Sequence, residues 1–135
     1  MIVLDTDVIF KLMRGEPHAA VIACIGRHPN TSLFTTTLTR AKIFYGLRLL
    51  AKGKRRNALI EAANLLFETD MAGRVLPFDT DSALVFAVIA AERRAAGRPV
   101  SRIAAIARLR GASLATRNVR DFEDCGITVH DPWKA

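Results

Sequence analysis

Polar side chains that could bind a metal ion follow two short apolar runs in this chain. They are Asp5, Thr6 and Asp7 after the run 1–4, and Thr116, Asn118 and Asp121 after the run 112–115. A hard cation such as Mg²⁺ prefers oxygen ligands, usually one or two carboxylates together with water and phosphate oxygens. Such an ion can assist phosphodiester hydrolysis. Asp5 and Asp121 are the predicted metal ligands, and the remaining oxygens would support them.

The same residues also have a purely structural interpretation. Asp5 or Thr6 could cap the helix that follows the first run. Asn118 and Asp121 could cap the turn that leads into Phe122. The residue types and their spacing leave both interpretations open.

The elements around these residues alternate between strand-like and helix-like patterns. Strands are predicted at 1–4, 32–36, 74–79, 112–116 and 127–129. Helices are predicted at 8–13, 18–27, 37–50, 58–67, 81–96 and 101–110, the first ended by Gly15 and Pro17. This alternation predicts an α/β fold with a mainly parallel sheet. The carboxyl ends of parallel strands share one edge, where ligands bind, so Asp5 is expected at that edge.

Length, charge and cysteine content limit the class of protein. A chain of 135 residues is expected to form a single domain, 1–135, that buries about two-thirds of its unfolded surface. Twenty Lys and Arg against thirteen Asp and Glu give a net charge of +7, which favours a polyanionic partner, either nucleic acid or an acidic protein. Two widely separated cysteines indicate a reducing compartment, so a cytoplasmic protein is expected. No leader or membrane segment is predicted.

Seven segments, in this order along the chain, resemble one known family. They are MIVLDTDVI (1–9), TTLTRAKIFYG (36–46), AGRVLPFD (72–79), GRPVS (97–101), IAAIAR (103–108), LATRNVRDF (114–122) and DPW (131–133). With them the chain resembles the PIN-domain ribonucleases, and within these the VapC and FitB-like toxins of toxin-antitoxin pairs. The resemblance implies a three-layer α/β/α sandwich and RNA cleavage dependent on Mg²⁺ or Mn²⁺. It also implies a homodimer and a small VapB-like antitoxin partner. The toxin would contact operator DNA only within the complex with this antitoxin.

Only some of the family's site residues have a counterpart in this chain. By resemblance the catalytic residues are Asp5, Asp121 and Asn118, supported by Asp7, Thr6 and Thr116. Lys42 stands where the family has Glu, and it could pair with Asp5 instead of binding metal. The third family acid is missing after Ser101, because no Asp or Glu occurs from 93 to 118. Reduced or absent nuclease activity is therefore expected, the alternative being an inactive protein that acts through antitoxin binding and operator-linked regulation.

Three arginines flank the matched segments and are predicted to contact RNA. They are Arg40, Arg117 and Arg120. Contacts to phosphates dominate nonspecific affinity for nucleic acid. The basic stretch 52–56 is instead predicted to be a solvated turn.

Overall fold

Five short parallel strands form the centre of this computed structural model, which describes residues 1–14, 16 and 18–134. The strands are β1 (Ile2–Leu4), β2 (Leu33–Thr36), β3 (Val75–Leu76), β4 (Ser113–Ala115) and β5 (Val129–His130). Their order is β3-β2-β1-β4-β5, so β1 is central and β4 lies next to it. Leu4 pairs with Ala115, which brings the two predicted polar groups to adjacent strand ends.

Six α-helices of the described chain connect and cover these strands. They are α1 (Thr6–Met13), α2 (Ala19–Gly26), α3 (Thr37–Arg48), α4 (Lys54–Leu65), α5 (Thr80–Arg94) and α6 (Arg102–Leu109). The prediction of a solvated turn at 52–56 was partly wrong, because Lys54 begins α4 directly after Gly53, whose φ is 156°. Gly15 and Pro17, predicted to end the first helix, lie outside the described residues. Among the described helices, none is long and apolar enough to cross a membrane.

Apolar side chains form one core on each face of the sheet. Successive residues of a strand point to opposite faces. Val3 accordingly packs with Ile89 of α5 and Ile106 of α6. Leu4 packs on the other face with residues from α1 to α4, which include Val8, Ile9, Val21, Leu47 and Ala63. The predicted three-layer α/β/α sandwich with a parallel central sheet is confirmed.

Capping side chains at the carboxyl edge of the sheet turn the chain sharply from strand into helix. Asp5 caps α1 by accepting a hydrogen bond from the Thr6 backbone N–H at 2.7 Å. Thr36 caps α3, directly after β2, by accepting from the Thr39 backbone N–H at 3.1 Å. Both helices therefore begin beside the predicted site, since β1 and β2 are neighbours in the sheet.

Candidate functional site

Asp5 lies at the end of β1 and is only 7% exposed. Its Oδ1 accepts the hydrogen bond from Thr6, and its Oδ2 accepts one from the Thr116 hydroxyl at 2.7 Å. Thr116 is fully buried at the end of the neighbouring strand β4. Asp5 thus caps α1, as its structural interpretation predicted, and also joins the two predicted polar groups.

Asp7 forms a second connection between the same two groups. Its Oδ2 accepts hydrogen bonds from the backbone N–H of Arg117 at 3.0 Å and from the side-chain amide of Asn118 at 3.5 Å. Burial, and then the negative charge of Asp5, raise the pKa of Asp7, while hydrogen bonds from Arg117 and Val8 oppose this. The site therefore contains one carboxylate whose ionised form is disfavoured.

Asp121 belongs to a short 3₁₀ helix, Val119–Phe122, and faces a cavity of about 540 Å³. Lys42, Ser101 and Arg102 also line this cavity. Asp5 is not among the lining residues, although the sequence predicted that it would share a metal ion with Asp121. The structure thus places Asp121 with cationic side chains, and Asp5 with Asp7 and Thr116.

Lys42 lies on α3 with its side chain exposed. The four ion pairs of the described residues are Arg40–Glu68, Arg98–Glu123, Arg108–Glu92 and Arg110–Asp79. The suggested pairing of Lys42 with Asp5 was therefore wrong. The reason is geometric, since Asp5 turns its carboxylate toward Thr6 and Thr116.

The donor set does not fit a divalent ion held by several acids. Within the ranges that the structure describes, no group of three His, Cys, Asp or Glu side chains is arranged to hold a metal. A Lys ammonium in the cavity of Asp121 also repels a dication and offers no lone pair while protonated. Asp5 and Asp121 as metal ligands therefore stay a prediction.

The arginines predicted to contact RNA have different surroundings. Arg40 pairs with Glu68 and places its guanidinium carbon 5.6 Å from the centre of the Phe67 ring. The guanidinium carbon of Arg117 lies 5.1 Å from the centre of the Trp133 ring. Arg117 and Arg120 line a second cavity of about 370 Å³, together with Asn118, Asp121, Asp131 and Lys134. Arg120 is thus exposed beside the site, whereas the charge of Arg40 is partly neutralised.

Two residues support the site in a way that was not predicted from the sequence. Thr39 is fully buried, and its Oγ1 lies 3.2 Å from that of Thr6. Arg93 is 3% exposed and donates to the backbone carbonyl of Asp121 at 2.8 Å and to Cys125 Sγ at 3.1 Å. Helical spacing was the available signal, because Arg93 follows the buried Ile89 by four residues on α5.

Comparison with known proteins agrees with this fold. The model of the PIN domain family matches residues 2–126. The VapC ribonuclease Y4jK of Sinorhizobium fredii is 36% identical over 138 residues, which cover 99% of both chains. Toxin FitB of Neisseria gonorrhoeae is 31% identical over 137 residues, 98% of this chain and 99% of the relative.

A solved structure, FitAB bound to an IR36 DNA fragment, is similar over almost the whole fold. It superimposes with a TM-score of 0.90 at 31% sequence identity, and it covers 98% of this chain and 96% of the other. The arrangement of sheet and helices is therefore shared with this structure.

Proposed function

This chain belongs to the PIN-domain family, and from that premise we propose that it is a toxin-type member whose own divalent-ion-dependent RNA cleavage is weak or absent. Its similarity to a VapC ribonuclease supports RNA as the substrate class, and its similarity to toxin FitB supports the role of a toxin. One observation is the main support for weak or absent activity. Lys42, at the position of the family Glu, lies in the same cavity as Asp121.

Asp5 and Asp121 are the residues that we propose to hold Mg²⁺ or Mn²⁺ if either ion binds. A bound ion of this kind polarises a phosphoryl oxygen and lowers the pKa of a bound water. Asn118 is proposed to contribute an amide oxygen, with Asp7, Thr6 and Thr116 keeping the acidic group in place. The ammonium of Lys42 opposes the ion, so we expect weak occupancy and derive no cleavage step through it.

An RNA cleavage assay with three proteins tests the proposal. They are the unaltered chain, Lys42→Glu, and Lys42→Glu with an Asp-containing turn inserted after Ser101. Each 1.36 kcal/mol of lost transition-state stabilisation lowers the rate by a factor of about ten, so restoring both acids is expected to raise cleavage at least about 100-fold. Addition of Asp5→Ala to the restored protein should abolish the gain. Strong cleavage by the unaltered chain would contradict a degenerate site, and no cleavage by the restored protein would contradict a nuclease origin.

A second candidate function is binding without catalysis. In this proposal the chain binds a small VapB-like antitoxin and reaches operator DNA only within that complex, as the DNA-bound FitAB structure supports. Large apolar side chains exposed on the described surface favour protein partners: Leu12, Ile22, Tyr45, Leu49, Leu65, Leu84 and Val88. Binding of the antitoxin by a protein that never cleaves RNA would support this candidate.

We further propose a homodimer formed through α5. Leu84 and Val88 lie one turn apart and are 66% and 50% exposed, and the small side chains of Ala83, Ala87 and Ala91 are exposed on the same helix.

Two free cysteines, Cys24 and Cys125, agree with a reducing location, and we place the protein in the cytoplasm.

A further inference from the structure

The cavity between α3 and the start of α6 is lined by two cationic side chains, Lys42 and Arg102, and by one acid, Asp121. We propose that this cavity binds the phosphodiester backbone of single-stranded RNA directly, through cationic side chains and without a divalent metal ion. The residues that carry the argument are Leu38, Lys42, Val100, Ser101, Arg102 and Asp121. The inference takes its substrate class from the proposed function and adds the way in which that substrate is held.

Charge in the cavity favours an anion. Lys42 and Arg102 contribute two positive charges against the one carboxylate of Asp121. None of the three forms an ion pair with another described side chain. Arg102 lines the cavity, and its guanidinium carbon also lies 5.6 Å from the centre of the ring of Phe86 on α5. Lys and Arg are donors only, and phosphate oxygens are acceptors, so the two cations match this ligand.

The first turn of α6 adds to the positive potential. This helix has eight residues, contains no acid in its first turn, and begins at Arg102 on the cavity wall. The positive end of the helix dipole therefore points toward the cavity without a nearby carboxylate to neutralise it. The Ser101 Oγ accepts from the Ile103 backbone N–H at 3.2 Å, and its hydroxyl proton is free to bond an anion.

The remaining wall suits a nucleoside. Leu38 and Val100 are apolar and partly buried, and Ile103 is buried beside them. The cavity volume of about 540 Å³ falls within the roughly 300–1,000 Å³ of small-molecule pockets. Charge at one side and apolar surface at the other correspond to the phosphate and the base or ribose of one nucleotide.

The neighbouring cavity favours a polymer over a free nucleotide. Asp121 lines both cavities, and the second one continues along Arg117, Arg120 and Lys134. An RNA strand that leaves the first cavity therefore meets further cations for its next phosphates. The two cavities therefore adjoin at Asp121, and the second contains three cations against the carboxylates of Asp121 and Asp131.

Fluorescence anisotropy with labelled, mixed-sequence single-stranded RNA and the full chain tests the inference. The expected affinity is the same in EDTA and in Mg²⁺. Lys42→Ala or Arg102→Ala should each weaken binding about tenfold, the effect of one charge-assisted hydrogen bond. Lys42→Arg should restore most of the affinity. The matched control is Lys54→Ala, which removes another exposed charge, outside the cavity, and should weaken binding less than about twofold.

Several results would overturn the inference. They are a requirement for Mg²⁺, equal weakening by Lys42→Ala and Lys54→Ala, and displacement of RNA by an equimolar mononucleotide. An unchanged RNA affinity in Lys42→Ala, with lost binding of a polyglutamate peptide, would show that an acidic protein is the occupant instead.

The RNA-binding and RNA-cleavage experiments can contradict the two proposals independently. Cleavage of RNA by the unaltered chain contradicts the proposed function but leaves metal-free binding at Lys42 intact. If the unaltered chain does not cleave RNA, and its affinity for RNA is unchanged by Lys42→Ala, only the present inference is contradicted.

Discussion

The hydroxyl of Thr116 donates to the Oδ2 of Asp5 at 2.7 Å, although the two residues are 111 positions apart in the chain. This hydrogen bond joins the ends of β4 and β1 at the candidate site. The Thr116 Oγ1 also accepts from the Asn118 backbone N–H at 3.1 Å, which orients the loop that carries Asp121. A single buried hydroxyl therefore holds both polar groups in place.

Thr116→Val keeps the shape of this side chain and removes its hydrogen bonds. We expect the free energy of unfolding to fall by about 1–3 kcal/mol, because Asp5 loses a donor in a buried position. Urea denaturation measures the change. Thr116→Ser, which retains the hydroxyl, is the control and should lose less stability than the valine variant. Equal stability of the unaltered and valine proteins would show that the bond contributes nothing to folding.

Asp7→Asn should stabilise the fold at neutral pH. Burial, and then the charge of Asp5, raise the pKa of Asp7 above its ordinary value of 3.8. A carboxyl with a raised folded-state pKa binds its proton more tightly in the folded protein. The free energy of unfolding therefore falls as pH rises from the pKa of Asp7 in the unfolded chain to its pKa in the folded protein. Above the folded-state pKa the full loss of stability remains. Asparagine cannot ionise, so it avoids this cost.

The pH dependence provides the check on Asp7→Asn. Its stability advantage in urea denaturation should be present near pH 7 and should vanish below a pH of about 3.8, where Asp7 is protonated in both states. Glu61→Gln, at an exposed position on α4, serves as the control for removal of an acid. A loss of stability in Asp7→Asn at neutral pH would show that the hydrogen bonds from Arg117 and Asn118 need the charge.

Arg93→Ala should destabilise the protein and loosen the Asp121 loop. The guanidinium is buried and donates to the Asp121 carbonyl and to Cys125 Sγ, so its removal leaves an unsatisfied carbonyl and a void. We expect a loss of about 2–4 kcal/mol in unfolding free energy. Arg94→Ala changes the adjacent, exposed residue and should stay within about 0.5 kcal/mol.

Hydrogen exchange separates the two effects of Arg93→Ala. Faster exchange is expected across 118–125, where the anchored carbonyl lies, and less change in the strands β1 and β2. Uniform acceleration over the whole chain would indicate general destabilisation without a specific anchoring role.

Leu84→Glu with Val88→Glu should convert the proposed dimer into a monomer. Both side chains are exposed on α5, so the changes cost little within one protomer, but two copies of the face would bring like charges together. Sedimentation velocity measures the oligomeric state. Tyr45→Glu with Leu49→Glu alters another exposed pair, Tyr45 on α3 and Leu49 directly after it, and should leave the dimer intact. A dimer that survives the α5 changes and dissociates with the Tyr45 and Leu49 changes would relocate the interface.

Local sequence patterns determined the kind and order of the elements. Apolar runs followed by acids predicted strands that end at Asp5 and near Asp121, and the alternation with amphipathic segments predicted a mainly parallel sheet. The family resemblance added the helices on both sides. These predictions succeed because burial on a strand or helix face depends on spacing over a few residues. Lys42 and the missing acid after Ser101 were also visible in the sequence.

Only the tertiary structure decided which side chains meet. It joins Asp5 to Thr116, puts Lys42 in the cavity of Asp121 instead of beside Asp5, and buries Arg93 behind the site loop. These partners lie far apart in the chain, and their meeting depends on strand order, helix placement and the direction of each cap. Spacing within one segment carries no information on such long-range geometry, so the candidate site could be located from the sequence but its internal contacts could not.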